Sequence, residues 1–135
     1  MTGLDRFLAA LNREEPDRVP IWELIVNEPT LSALHGDVGY LEFAAREDLD
    51  GVTIFENQAT TQSPDGALVD EWGIRWLAAE GGVSYPSGGP INSIDDLQSY
   101  EPPEPTPPHR LDSLKAAIDR FKGEKAIVFL AHEAF

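Results

Sequence analysis

The chain has no cysteine, a single methionine, and only 10 Lys and Arg against 24 Asp and Glu. Without cysteine, its 135 residues carry no disulfide framework, no thiolate nucleophile and no cysteine-ligated zinc site. The shortage of cations leaves a net charge of −14, so the surface repels phosphate backbones and anionic lipids. Nucleic acid and membrane surfaces are therefore not expected partners. No apolar run approaches the roughly 20 residues of a membrane span. The opening Met1-Thr2-Gly3-Leu4-Asp5-Arg6 lacks the basic-then-apolar order of a secretory signal. A cytoplasmic location is the expectation. Gly81-Gly82 and Gly88-Gly89 form neither G-x-G-x-x-G nor a phosphate loop, and Ser84, Ser87 and Ser93 have no G-x-S-x-G context. Neither a nucleotide site nor a serine nucleophile elbow is indicated.

What is present is enough apolar material for a core: a hydrophobic fraction of 41% and three tryptophans. Leu4, Phe7, Leu8 and Leu11 fall at i, i+3, i+4 and i+7, one helical stripe, with Thr2 and Asp5 as a capping box and Pro16 beyond its end. Val19 to Val26 is apolar on both faces and reads as a buried parallel strand, Pro20 being tolerable near its start. Thr30–Leu34 suits a helical turn broken at Gly36. Asp37 suits the cap of a helix running to about Asp48, with Leu41, Ala44 and Ala45 inward. Gly51 to Asn57 is a second strand.

Residues 58–66 are polar and turn-rich. Ala67–Glu71, Gly73–Ala78 and Val83–Tyr85 read as short antiparallel strands, with Gly81-Gly82 as a hairpin turn. Ser93 and Asp96 form a capping box for a short helix to Tyr100. Glu101 to Pro108 holds five of the 11 prolines and must be extended. Arg110 to Phe121 is helical with Gly123 as its stop. Lys125 to Ala131 is a third, unbroken apolar strand. Three buried strands alternating with helices follow the grammar of a parallel α/β sheet, interrupted by a β-hairpin excursion. The third strand has no helix after it, so residues 1–135 are expected to be one incomplete α/β domain, the N-terminal part of something larger.

Several of these residues resemble a known family. The run Asp5-Arg6-Phe7-Leu8-Ala9-Ala10-Leu11-Asn12-Arg13, followed by Pro16-Asp17-Arg18-Val19-Pro20-Ile21-Trp22, is similar to the opening of the uroporphyrinogen decarboxylase superfamily. Val69-Asp70-Glu71-Trp72-Gly73-Ile74-Arg75-Trp76 resembles that family's Asp-x-(Trp/Phe)-Gly segment. Pro90-Ile91-Asn92-Ser93-Ile94-Asp95-Asp96-Leu97, with prolines after it, resembles its Pro-Ile, short helix, Pro pattern. The resemblance implies a TIM (β/α)8 barrel, of which this chain supplies about three βα units. Two departures separate it from the decarboxylase proper. Leu24-Ile25-Val26-Asn27-Glu28-Pro29 holds no arginine where that branch clamps substrate carboxylates, and Asn57 stands where it has a catalytic aspartate. The corrinoid- and thiol-linked methyltransferase branch fits better. It implies zinc and a corrinoid for a larger parent, with metal ligands beyond residue 135 and none within it. Its partners would be a small-molecule substrate or a corrinoid protein. Alternatives are uroporphyrinogen decarboxylation in porphyrin biosynthesis and a non-catalytic acidic interaction domain.

In such a barrel, chemistry sits at the C-terminal ends of strands. That rule selects Glu56, Asn57 and His132 as catalytic candidates and Glu23, Asn27 and Glu133 as substrate-binding ones, all around one mouth, with the 72–85 hairpin as a partial lid. His35 and His109 read as surface residues. Asp48 and Asp50 read as capping or solvated groups rather than a metal pair. The open edge of the third strand suggests self-association.

Overall fold

In the computed structural model, which describes residues 1–79 and 83–130, the first helix begins where its cap dictates. Thr2 Oγ1 accepts the Asp5 N–H at 3.0 Å, and the Asp5 carboxylate accepts the Thr2 N–H at 3.0 Å, which starts α1 (Gly3–Leu11). Those two bonds, the Thr2 backbone one foremost, hold the Asp5 carboxyl below its ordinary pKa. The chain divides into two compact units, Met1–Glu56 with the chain from Leu111 on, and Asn57–Arg110.

The first unit continues with α2 (Glu28–His35), α3 (Tyr40–Arg46) and β1 (Gly51–Phe55), and later adds α5 (Asp112–Phe121) and β6 (Ala126–Leu130). β1 and β6 pair in parallel, Gly51 opposite Ala126 and Phe55 opposite Leu130. α5 leads into β6 and packs against both strands, as the alternation of apolar runs implies. Phe43 and Ala44 from α3, Val52 and Ile54 from β1, and Ala117 and Phe121 from α5 belong to one buried cluster. Each large member contributes roughly 1.5–3 kcal/mol by leaving water.

The segment Val19–Val26 is not a strand, so the parallel sheet has two strands rather than three. The segment still follows β1 in parallel: Ile21 C=O accepts the Asp50 N–H at 2.8 Å, and Glu23 C=O accepts Thr53 Oγ1–H at 3.0 Å. Side chains have taken up bonds that a backbone ladder would make, and the apolar run stays largely in solvent, Val19 being 81% exposed. Asp37 does not cap α3, because Gly39 is its N-cap with no side-chain bond.

The second unit is a four-stranded antiparallel meander of β2 (Thr60–Gln62), β3 (Leu68–Asp70), β4 (Arg75–Ala78) and β5 (Ser84–Gly88), in that order. β2 lies inside the polar stretch read as turns, and all three of its residues are exposed, so no alternation of apolar residues announces it. Asp70 makes the β3–β4 turn. Its carboxylate accepts the Trp72 and Ile74 N–H groups at 3.0 and 2.9 Å and Trp76 Nε1–H at 2.7 Å. Gly73 supplies the left-handed step, at φ 80°. Ser93 then caps α4 (Ile94–Ser99) by accepting the Asp96 N–H, as its spacing suggests. The Gly81-Gly82 turn lies outside the described residues.

The fold is thus mixed α/β, with one parallel and one antiparallel sheet and no closed barrel among the described residues. No helix among them is long and apolar enough to cross a membrane.

Candidate functional site

The α3 and α5 helices flank the second half of β1, and the space between them is a groove of about 620 Å³, in the range of small-molecule sites. Tyr40 and Glu42 enter it from the start of α3, Phe55 and Glu56 from the end of β1, and Ser113 and Arg120 from α5. The α5 residues follow from helical geometry: Ser113, Ala116 and Arg120 are spaced i, i+3, i+7 and share one stripe, distinct from the Ala117 and Phe121 pair that enters the core.

Glu42 is held by two guanidinium groups, Arg120 Nη2 at 2.5 Å and Arg46 Nε at 2.8 Å. The Arg120 bond, followed by the Arg46 bond, keeps the Glu42 carboxyl below its ordinary pKa. Arg120 is therefore a neutralised wall of the groove rather than an anion clamp. The Tyr40 phenol is pushed upward, chiefly by burial, so it stays protonated as a hydrogen-bond donor at neutral pH. Its hydroxyl accepts the Thr53 N–H at 3.2 Å. A carboxylate at the strand end and otherwise mostly carbon walls suit a small, largely apolar organic molecule.

Of the residues selected from the strand-end rule, Glu56 lies in this groove, and neither Glu23 nor Asn27 does. Asn27 is the N-cap of α2, its Oδ1 accepting the Thr30 N–H at 3.2 Å. Glu23 is exposed, and its backbone carbonyl is what the fold uses. Asn57 belongs to the second unit, where its N–H donates to Arg110 C=O at 2.9 Å. His132 and Glu133 lie outside the described residues. Tyr40, Glu42, Ser113 and Arg120 were not singled out by sequence. The signal available for Ser113 and Arg120 was their shared helical stripe, and none was available for Tyr40.

Asp50 corrects the reading of a solvated carboxylate, being 1% exposed. It takes Arg6 Nη1–H, Arg18 Nη1–H at 3.0 Å and the Ile21 N–H at 2.7 Å. Asp17 closes the cluster on Arg6 Nε at 2.6 Å, and that bond above all holds the Asp17 carboxyl well below the usual range. The Pro-Asp-Arg-Val-Pro stretch thus folds around Asp50 as a structural clasp. Of the two described histidines, His35 Nε2 sits 2.6 Å from Glu47 Oε1, whereas His109 Nε2, 3.5 Å from Glu71 Oε1, is buried without a hydrogen-bond partner. In the second unit Arg110 pairs with Glu71 at 3.0 Å and lies over the Trp72 ring.

Among the described residues no three His, Asp or Glu side chains are grouped so as to hold a metal ion. No family model, curated protein or solved structure matches the chain.

Proposed function

We propose that the chain is the N-terminal portion of a uroporphyrinogen-decarboxylase-like (β/α)8 enzyme that transfers a methyl group to a thiol. The observation that carries this reading is the placement of Glu56: a carboxylate at the C-terminal end of a buried parallel strand, on the wall of an organic-sized groove. In the transfer, the bond between donor and methyl breaks, an S–CH3 bond forms, and the thiol proton passes to a base. In this reading Glu56 takes it. The absence of arginine over Leu24–Pro29, together with the pairing of Arg120 to Glu42, disfavours a polycarboxylate substrate.

The test uses the protein expressed from its whole reading frame, assayed for methyl transfer from methylcobalamin to a thiol, with uroporphyrinogen as the rival substrate. The expected result is methyl transfer, lowered about 100-fold or more in Glu56→Gln, a far larger loss than any accompanying loss of stability. Turnover of uroporphyrinogen alone would establish decarboxylation instead. Turnover of neither would leave a binding module and overturn the enzyme reading.

A further inference from the structure

The first unit contains a parallel strand pair that stops one atom short of forming. In the β1–β6 ladder the Ala126 N–H donates to Asp50 C=O at 2.9 Å, so the even-numbered residues of β1 turn their backbone groups toward β6. Gly51, Thr53 and Phe55 turn theirs to the opposite edge, along which the Val19–Leu24 segment runs. Ile21 C=O on the Asp50 N–H and Glu23 C=O on Thr53 Oγ1–H lie two residues apart on the segment and three apart on the β1 side, so the chains run in parallel with one extra, bulged residue at Asp50-Gly51 and Glu23 set between Gly51 and Thr53. In that register the Thr53 N–H belongs on Glu23 C=O. It donates instead to the Tyr40 hydroxyl at 3.2 Å, and that oxygen lies 3.5 Å from Glu23 C=O. The phenol has been inserted between ladder donor and ladder acceptor.

Two further contacts keep the segment in place without pairing it. Thr53 Oγ1–H donates to Glu23 C=O at 3.0 Å, and Trp22 Nε1–H donates to Thr53 Oγ1 at 2.9 Å. The segment's composition is that of a strand, and its apolar residues lie exposed where pairing would shelter them. Tyr40 also lines the groove.

We infer that Tyr40 is a removable spacer in a two-state element: with its hydroxyl between Thr53 and Glu23 the Val19–Leu24 segment is held off β1, and with the hydroxyl withdrawn the segment zips on as a third parallel strand. The inference rests on backbone register and does not depend on the enzymatic reading.

Amide hydrogen exchange and backbone chemical shifts of the whole chain test it. In Tyr40→Phe the ring is kept and the hydroxyl removed. The expected result is exchange at Thr53 slowed about tenfold or more, with strand-like shifts at residues 21–24. Tyr40→Leu, which also lacks the hydroxyl, is expected to move the same amides in the same direction. Adding Glu23→Pro, which removes the N–H that would pair with Gly51 C=O, is expected to abolish the gain. Exchange at Thr53 that is unchanged or faster in the Phe and Leu variants would overturn the spacer, since the hydroxyl would then be an ordinary partner. So would a gain that survives the proline.

Discussion

Arg18 Nη1 lies 3.0 Å from Asp50 Oδ2, joining the turn after α1 to the residue just before β1, 32 positions away. Asp50 is almost fully buried and also engages Arg6, so removing its carboxylate leaves two guanidinium groups facing an emptied site. Breaking a buried ion pair on one side costs about 3–5 kcal/mol, a large part of a domain's usual 5–15 kcal/mol. Asp50→Ala is therefore expected to be largely unfolded, or to shift the urea midpoint of the first unit sharply downward. Circular dichroism against urea measures this. A midpoint within error of the parent would remove Asp50 from its place as the unit's central clasp.

The pH dependence of stability has a definite sign. Asp17, Asp65 and Glu42 are held below their ordinary values, first by their bonds to Arg6, Arg75 and Arg120 respectively. A carboxylate depressed in the folded state binds its proton first in the unfolded state. Its contribution is fully present above about pH 5 and is lost as pH falls below about 4, the unfolded value. Urea midpoints at pH 7, 4 and 2.5 should fall in that order, and Asp17→Asn should flatten the acid limb while lowering the neutral plateau.

The β3–β4 turn has its own weak point. A Cβ on Gly73 would stand 3.1 Å from Pro90 Cγ, at a φ of 80° that side chains avoid. Both effects act against Gly73→Ala, with an expected cost of at least about 1 kcal/mol. Because Trp76 Nε1 is bonded to Asp70 within the same turn, tryptophan fluorescence should report the change in the second unit. Unchanged emission and melting would show that the turn relaxes freely.

How far the sequence disclosed this structure depends on the range of the interaction. Caps at Thr2 and Ser93 are decided within three residues and were legible from spacing. β1 and β6 were legible because a strand buried on both faces must be apolar throughout. Val19–Val26 carries the same pattern, yet the Tyr40 hydroxyl takes the Thr53 N–H and the Thr53 hydroxyl occupies Glu23 C=O, side-chain contacts that no local rule connects to it. Asp50 reads like any polar residue before a strand, and only the folded chain brings Arg6 to it across 44 positions. Asn27 at a strand end looked like a site residue, although an asparagine before Glu28-Pro29 is equally a helix cap, and the cap is what forms. Glu56 was reachable from the strand-end rule, while the Tyr40 wall of its groove was not.

The final prediction concerns β6. Among the described residues it pairs only with β1, and Phe129 and Leu130 on it are each 38% exposed. Register with β1 directs the backbone groups of Ile127 and Phe129 to the open side. An exposed apolar edge strand recruits another strand, and the commonest closed solution for identical chains is a two-fold pair. The net charge of −14 opposes that encounter by mutual repulsion, which salt screens over about 10 Å at 0.1 M. Self-association should therefore strengthen as salt rises, the opposite of an association driven by charge attraction. Light scattering across a salt series measures it. Phe129→Lys, which places a cation on the edge where natural sheets put one, should keep the chain monomeric at concentrations where the parent associates. If the parent remains monomeric in high salt, or the lysine variant associates equally, β6 is not the contact.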